Sequence, residues 1–153
     1  MESLDKWKIL TDSIDDMEEA FKYIRYYGGW ADKIEGKSFP CTGKMTISKR
    51  RIHYGVVGLI SPCNYLLLMS AWKIFPALAA GNTILLKPSY ETLLISLKLD
   101  ELLVEAGFPD GVVNIVPGNI NTVGAWITSH ENVRKVSFTS LTCTGRDVTK
   151  KSA

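Results

Sequence analysis

Residues Tyr54 to Lys87, YGVVGLISPCNYLLLMSAWKIFPALAAGNTILLK, carry the reading of the fold. Val56–Ile60 is a continuous apolar run of strand length, and Ser61-Pro62-Cys63-Asn64 is a turn. Leu66–Ala79 has the length and apolar content of a buried helix, Gly81-Asn82 is a second turn, and Thr83–Leu86 is a second apolar strand closed by Lys87-Pro88. Strand, helix and strand in this order predict parallel pairing through a helical crossover. A membrane span is the competing reading, because Tyr54 to Trp72 carries no charged side chain. Gly55, Gly58, Pro62 and Asn64 interrupt that stretch, and a strand turning into a buried helix explains both the apolarity and the breaks.

The same rhythm continues downstream. Further strands are predicted at Val112–Val116 and Lys135–Phe138, and further helices at Leu93–Glu105 and Thr122–Ser129. Gly107 is placed to end a helix and Pro109 to stop it, while Gly118-Asn119 marks a turn. Upstream, Ser13 to Tyr27 sets Ile14, Met17, Phe21, Ile24 and Tyr27 on one helical face, with Asp12 or Ser13 as the cap and Gly28-Gly29 as the stop. Lys37 to His53 alternates like strands around a Thr42-Gly43-Lys44 turn. The expected fold class is therefore α/β, an incomplete Rossmann-like parallel sheet preceded by a helix and strand arm. The expected division is an arm at 1–53 and a partial dinucleotide-binding domain at 54–153.

Composition narrows the function. The 153 residues are 46% hydrophobic and 22% charged with net charge +2, ordinary for a soluble domain and too weakly basic to argue for nucleic acid. Lys49-Arg50-Arg51 reads as a solvated strand end rather than a targeting patch. Cys41, Cys63 and Cys143 are odd in number and widely spaced. They argue against a disulfide framework or a metal site and for a reducing, cytoplasmic setting. The polar, acidic N-terminus lacks the pattern of a signal peptide.

Open parallel sheets bind ligands at the carboxyl ends of their strands. That rule selects Ser61–Asn64, Lys87–Glu91, Pro117–Asn121 and Thr139–Gly145. Neither GxGxxG nor GxxxxGK[ST] occurs, so no generic dinucleotide or ATP fingerprint is present.

The motifs at these ends have a family likeness. Ile60-Ser61-Pro62-Cys63-Asn64 is similar to the aldehyde dehydrogenase pattern of Pro-Trp-Asn after the first strand. Ala71-Trp72-Lys73, Pro76-Ala77-Leu78, Ala80-Gly81-Asn82-Thr83 and Lys87-Pro88 follow at the family's spacing. Glu105-Ala106-Gly107-Phe108-Pro109, Gly111-Val112-Val113-Asn114, Val116-Pro117-Gly118 and Phe138-Thr139 continue it. Upstream, Tyr26-Tyr27-Gly28-Gly29-Trp30-Ala31-Asp32-Lys33-Ile34 resembles the stretch preceding this domain. The sequence thus resembles an aldehyde dehydrogenase from about Tyr23 to Gly145.

The resemblance implies oxidation of aldehydes to acids with NAD or NADP, through attack by a Cys thiolate and hydride transfer to nicotinamide. It assigns Asn64 as the donor to the developing oxyanion. A turn residue bonding its own backbone is the plainer alternative. It assigns Ile60, Ser61, Pro62, Lys87, Gly118, Thr139 and Ser140 to the cofactor. Lys87 would hold the ribose, against the alternative of a solvated strand-end lysine. Pro117-Gly118 would let the adenine approach the backbone, or would simply end a strand.

Departures from the family predict a weakened grip. The acid expected three positions after Lys87 is Tyr90, with Glu91 one place late. The Gly-Ser of the family's phosphate segment is Ser140-Leu141, an apolar chain in place of a hydroxyl. Cys63 and Cys143 are read as small buried apolar residues rather than nucleophiles. The family's nucleophile and general-base Glu fall beyond Ala153 by the resemblance. The chain is therefore expected to be truncated and inactive alone, with a non-catalytic nucleotide-binding module or an interaction partner of a full-length dehydrogenase as the alternative, and to form a homo-oligomer or dock on a full-length dehydrogenase subunit.

Overall fold

The computed structural model describes residues 1–152. In chain order the elements are α1 (Glu2–Lys6), α2 (Leu10–Gly28), β1 (Lys37–Pro40), β2 (Thr46–Lys49), β3 (Val56–Ile60), α3 (Leu66–Ala79), β4 (Thr83–Lys87), α4 (Leu94–Glu105), β5 (Val113–Ile115), α5 (Ala125–Ser129), β6 (Val133–Phe138) and α6 (Thr142–Lys151). Four strands form a parallel sheet in the order β5–β4–β3–β6. β1 and β2 pair only with each other, antiparallel, Lys37 opposite Lys49.

The core lies between the sheet and α3, with α2 and α4 closing it. Val57 and Leu59 of β3 meet Ile84 and Leu86 of β4 and Leu67, Ala71 and Ile74 of α3. Side chains alternate across a strand, so Gly58 faces the opposite side. A Cβ there would collide with Cγ2 of Ile127 on α5, which places α5 on that face and fixes its close approach. Gly145 does the same for α6, where a Cβ would sit 3.3 Å from the Phe138 ring.

Asn82 ties the amino ends of β3 and β4 to the end of α3. Its Oδ1 accepts from the backbone N–H of Tyr54 (2.7 Å) and Gly55 (3.2 Å), and its Nδ2 donates to the Ala77 carbonyl (3.0 Å). The sequence reading takes this residue for a turn signal and part of a family motif; the structure shows it buried and bonded on both sides of its amide.

Three expectations need correction. α2 begins at Leu10 after Ile9, with no side-chain cap. Ser13 lies inside the helix, and its hydroxyl donates to the Ile9 carbonyl and accepts from Ser3. The buried face of α2 runs through Ser13, Asp16 and Ala20, whereas Ile14 and Phe21 are exposed. Lys8 neutralises Asp16, which lets a carboxylate take a place the apolar pattern assigns elsewhere. The segment Thr122–Ser129 is two pieces, a π-helical turn over Ile120–Gly124 and then α5. Asn119 starts the turn by accepting from the Asn121 N–H.

Asn82→Ala is expected to lower unfolding free energy by about 2–4 kcal/mol, since two backbone N–H groups lose their acceptor. A urea titration with unchanged slope and a lower midpoint is the measurement.

Candidate functional site

The strand order reverses direction at β3. β4 and β5 extend the sheet to one side and β6 joins on the other. A reversal of this kind opens a crevice at the carboxyl ends of the two strands that flank it. Here those ends are Ser61–Asn64 after β3 and Thr139–Leu141 after β6. They are joined by the Thr139 N–H donating to the Ile60 carbonyl (3.2 Å). On the other flank the Ser61 N–H donates to the Lys87 carbonyl (3.1 Å). The sheet thus brings Ile60, Ser61, Pro62, Lys87 and Thr139 to one edge. Gly118 follows β5 on the same side, and Ser140 follows Thr139.

Asn64 lies exposed in the turn before α3, and among the described residues its side chain makes no hydrogen bond. The reading of Asn64 as a residue capping its own backbone is not what the geometry holds. Its amide is available to a ligand. Tyr65 next to it adopts a left-handed backbone, φ 51° and ψ 54°, an uncommon state for a bulky residue.

Lys87 is buried rather than solvated. Its ammonium donates to the Pro88 carbonyl at 2.8 Å, and burial lowers its pKa from the ordinary 10.5. Lys73 of α3 is a second buried cation. It donates to Thr139 Oγ1 at 2.7 Å and is likewise pushed down by burial. The sequence reading includes Lys73 only as part of a motif. Its signal was visible as the single charged side chain in the apolar run of α3. The Ser61 hydroxyl is buried without a partner among the described residues.

Gly118 is tightly approached by its own chain: a Cβ there would strike Val123. Leu141 stands at the start of α6 with 72% of its surface exposed, and no side chain caps that helix. Tyr90 and Glu91 are exposed beyond the end of β4. The cysteines are not small buried apolar groups. Cys143 is exposed and Cys63 half-buried, because Cys63 sits in the open turn and Cys143 on α6, whose residues are all accessible. Cys63 Sγ accepts from Lys6 Nζ at 3.4 Å. Among the described residues no His, Asp or Glu bonds to either sulfur, no group of three potential metal ligands converges, and no helix is long and apolar enough to cross a membrane.

The sequence model of the aldehyde dehydrogenase family matches residues 1–153. The chain belongs to the aldehyde dehydrogenase family. It is 49% identical to human retinaldehyde dehydrogenase 3 over 131 residues, 86% of this chain and 26% of that protein. Against human mitochondrial aldehyde dehydrogenase it is 48% identical over 147 residues, 95% of this chain and 28% of that one. The chain thus spans roughly a quarter to a third of the relatives it matches. Among solved structures, PnpE from Pseudomonas sp. WBC-3 superposes with TM-score 0.96 at 44% identity over 99% of this chain and 31% of its own. Betaine aldehyde dehydrogenase from Staphylococcus aureus, solved with NAD+, superposes with TM-score 0.94 at 39% identity, over 99% and 30%. The fold is the α/β fold of these enzymes.

The two buried lysines make stability depend on pH. Their folded pKa values lie below the unfolded value, so the unfolded chain holds more protons between the two. Unfolding free energy should therefore rise as pH increases from the lowered value toward about 10.4. A double variant, Lys73→Met with Lys87→Met, should flatten that rise in denaturant titrations.

Proposed function

We propose that this chain is the cofactor-facing portion of an aldehyde dehydrogenase that oxidises aldehydes to carboxylic acids with NAD or NADP. The observation that carries this reading is the convergence of Asn64, Lys87 and Thr139 on the carboxyl edge of one parallel sheet at its reversal point.

The donor set suits a dinucleotide in part. Lys87 has N–H bonds left for a ribose hydroxyl, and the Ser61 hydroxyl is buried and unpartnered beside it in the sheet. The first amides of α6 are uncapped and can face an anion. Leu141, exposed at that helix start, offers carbon where a hydroxyl would bond a phosphate. The cofactor would supply the hydride acceptor. Asn64 would donate to the oxygen of the reacting carbonyl, where one preorganised donor is worth about 2.7–4 kcal/mol.

Among the described residues Cys63 Sγ bonds only Lys6 Nζ and Cys143 Sγ only Thr144 Oγ1 at 3.9 Å, so no His, Asp or Glu is bonded to either thiol as a general base. The isolated chain is therefore proposed to turn over no aldehyde and to bind NAD weakly. Calorimetry should show weak binding that strengthens by about one to two decades in Ser140→Gly with Leu141→Ser, the worth of one charge-assisted hydrogen bond. Micromolar binding unaffected by that double change would refute the weakening assigned to Ser140 and Leu141, and no binding before or after the change would refute the cofactor reading. Sustained NADH production abolished by Cys63→Ala or Cys143→Ala would make that cysteine the nucleophile.

The β1–β2 hairpin supports an assembly reading, as a homo-oligomer or with a full-length dehydrogenase subunit. All eight strand residues are exposed, among them Phe39 and Ile47. A two-stranded hairpin is marginal in water on its own, and its free edges invite pairing. Sedimentation should show self-association at low micromolar concentration, reduced by Phe39→Lys with Ile47→Lys. A monodisperse monomer would refute it.

A further inference from the structure

Residues 2 to 8 grip the turn that carries Asn64 from both sides. Glu2 is 1% exposed although charged side chains are seldom fully buried. Its two carboxylate oxygens accept from the N–H of Leu66 (2.8 Å) and of Leu67 (3.2 Å). These are the first two amides after Tyr65, and no side chain of the turn itself caps them. Lys8 lies over the Tyr65 ring, 4.5 Å from its centroid, and pairs with Asp16 of α2. Lys6 donates to Cys63, the residue before Asn64. α1 is in turn fixed to α4 by Asp5 Oδ2, which accepts from the Ile95 N–H at 3.1 Å.

Tyr65 gives this grip its purpose. A left-handed, non-glycine residue persists only where its surroundings over-determine it. Here the backbone after it is held by Glu2 and its ring is held by Lys8. Both contacts come from a segment about 60 positions away in sequence. Were Tyr65 to relax to an ordinary backbone state, the direction of the Asn64 side chain at the carboxyl end of β3 would change with it.

We infer that Glu2 is a positioning residue for Asn64: its buried carboxylate pins the Leu66 and Leu67 amides and so holds the left-handed turn that aims the Asn64 amide. The functional consequence rests on the role proposed for Asn64, but the geometry can be read without any activity.

Backbone carbon and amide NMR shifts of Cys63 to Leu67, with the Asn64 side-chain NH2 signals, report the turn directly. In Glu2→Ala the Tyr65 shifts should leave their left-handed values and the Asn64 NH2 signals should move. Ile127→Ala, a truncation of a buried side chain on the opposite face of the sheet, should leave both in place. Glu2→Gln keeps one carbonyl acceptor and should retain the left-handed shifts. It also serves if the alanine variant does not fold. Burial raises the Glu2 pKa, and the charged groups around it are Asp16 of α2, Lys8, Lys98 of α4 and the amine of Met1. The Leu66 and Leu67 amides of the unaltered chain should titrate with Glu2 and lose that titration in Glu2→Gln. Unmoved Tyr65 and Asn64 signals in Glu2→Ala, equal movement in Ile127→Ala, or an amide titration that survives Glu2→Gln would each overturn the inference. An unchanged rate for Asn64→Ala in a complete family enzyme would instead refute the role of Asn64 and leave the turn argument standing.

Discussion

Asn82 holds the amino edge of the β3–α3–β4 unit with one side chain, bonding two backbone amides before β3 and one carbonyl near the end of α3. A parallel pair has no tight hairpin to set its register. The register of Val56 against Thr83 through Ile60 against Lys87 therefore needs an anchor at the end where the crossover helix returns. The amide of Asn supplies a donor and an acceptors' worth of lone pairs in one buried group. Once that edge is fixed, the opposite edge follows, because five paired residues carry the register through to Ile60 and Lys87.

At that opposite edge the chain accepts strained or costly groups. Among the described residues two lysines are buried with no carboxylate paired to them and a hydroxyl is left without a partner, and Tyr65 takes a left-handed backbone. None of these stabilises the fold, since burial opposes the charged lysines and raises the cost of an unpaired polar atom. They are concentrated at the carboxyl ends of β3, β4 and β6. A stable sheet supplies the rigidity, and its carboxyl ends carry the groups available for a ligand.

The N-terminal segment belongs mechanically to this edge. α1 is short, yet its carboxylates reach the starts of both α3 and α4. α2 packs along α3 through Ala20, Met17, Tyr23 and Ile24, and Tyr23 stacks toward Trp72 at 5.3 Å. The β1–β2 hairpin stands apart from the core. The dependence is physical: the amides at a helix start must find acceptors, and α3 finds them in a segment remote in sequence.

The sequence alone determined the sheet and its helices, because strand-length apolar runs separated by helical segments have few other solutions. Val56–Ile60 and Leu66–Ala79 are legible to the residue, and Gly107 ends its helix at φ 85° as the absence of a Cβ allows. The strand-end rule also located Asn64, Lys87 and Thr139. What tertiary structure decided is the state of those side chains. Lys87 is buried where its position suggested solvent, Ser13 lies within α2 instead of capping it, and Asp16 is inside while Ile14 is outside. Local pattern reports which residues prefer water; it carries no record of a partner such as Lys8 for Asp16. Nor could it place Glu2 against Leu66, or Lys73 against Thr139, since hydrogen bonds spanning some sixty residues exist only after the sheet has brought both ends of the chain to one edge.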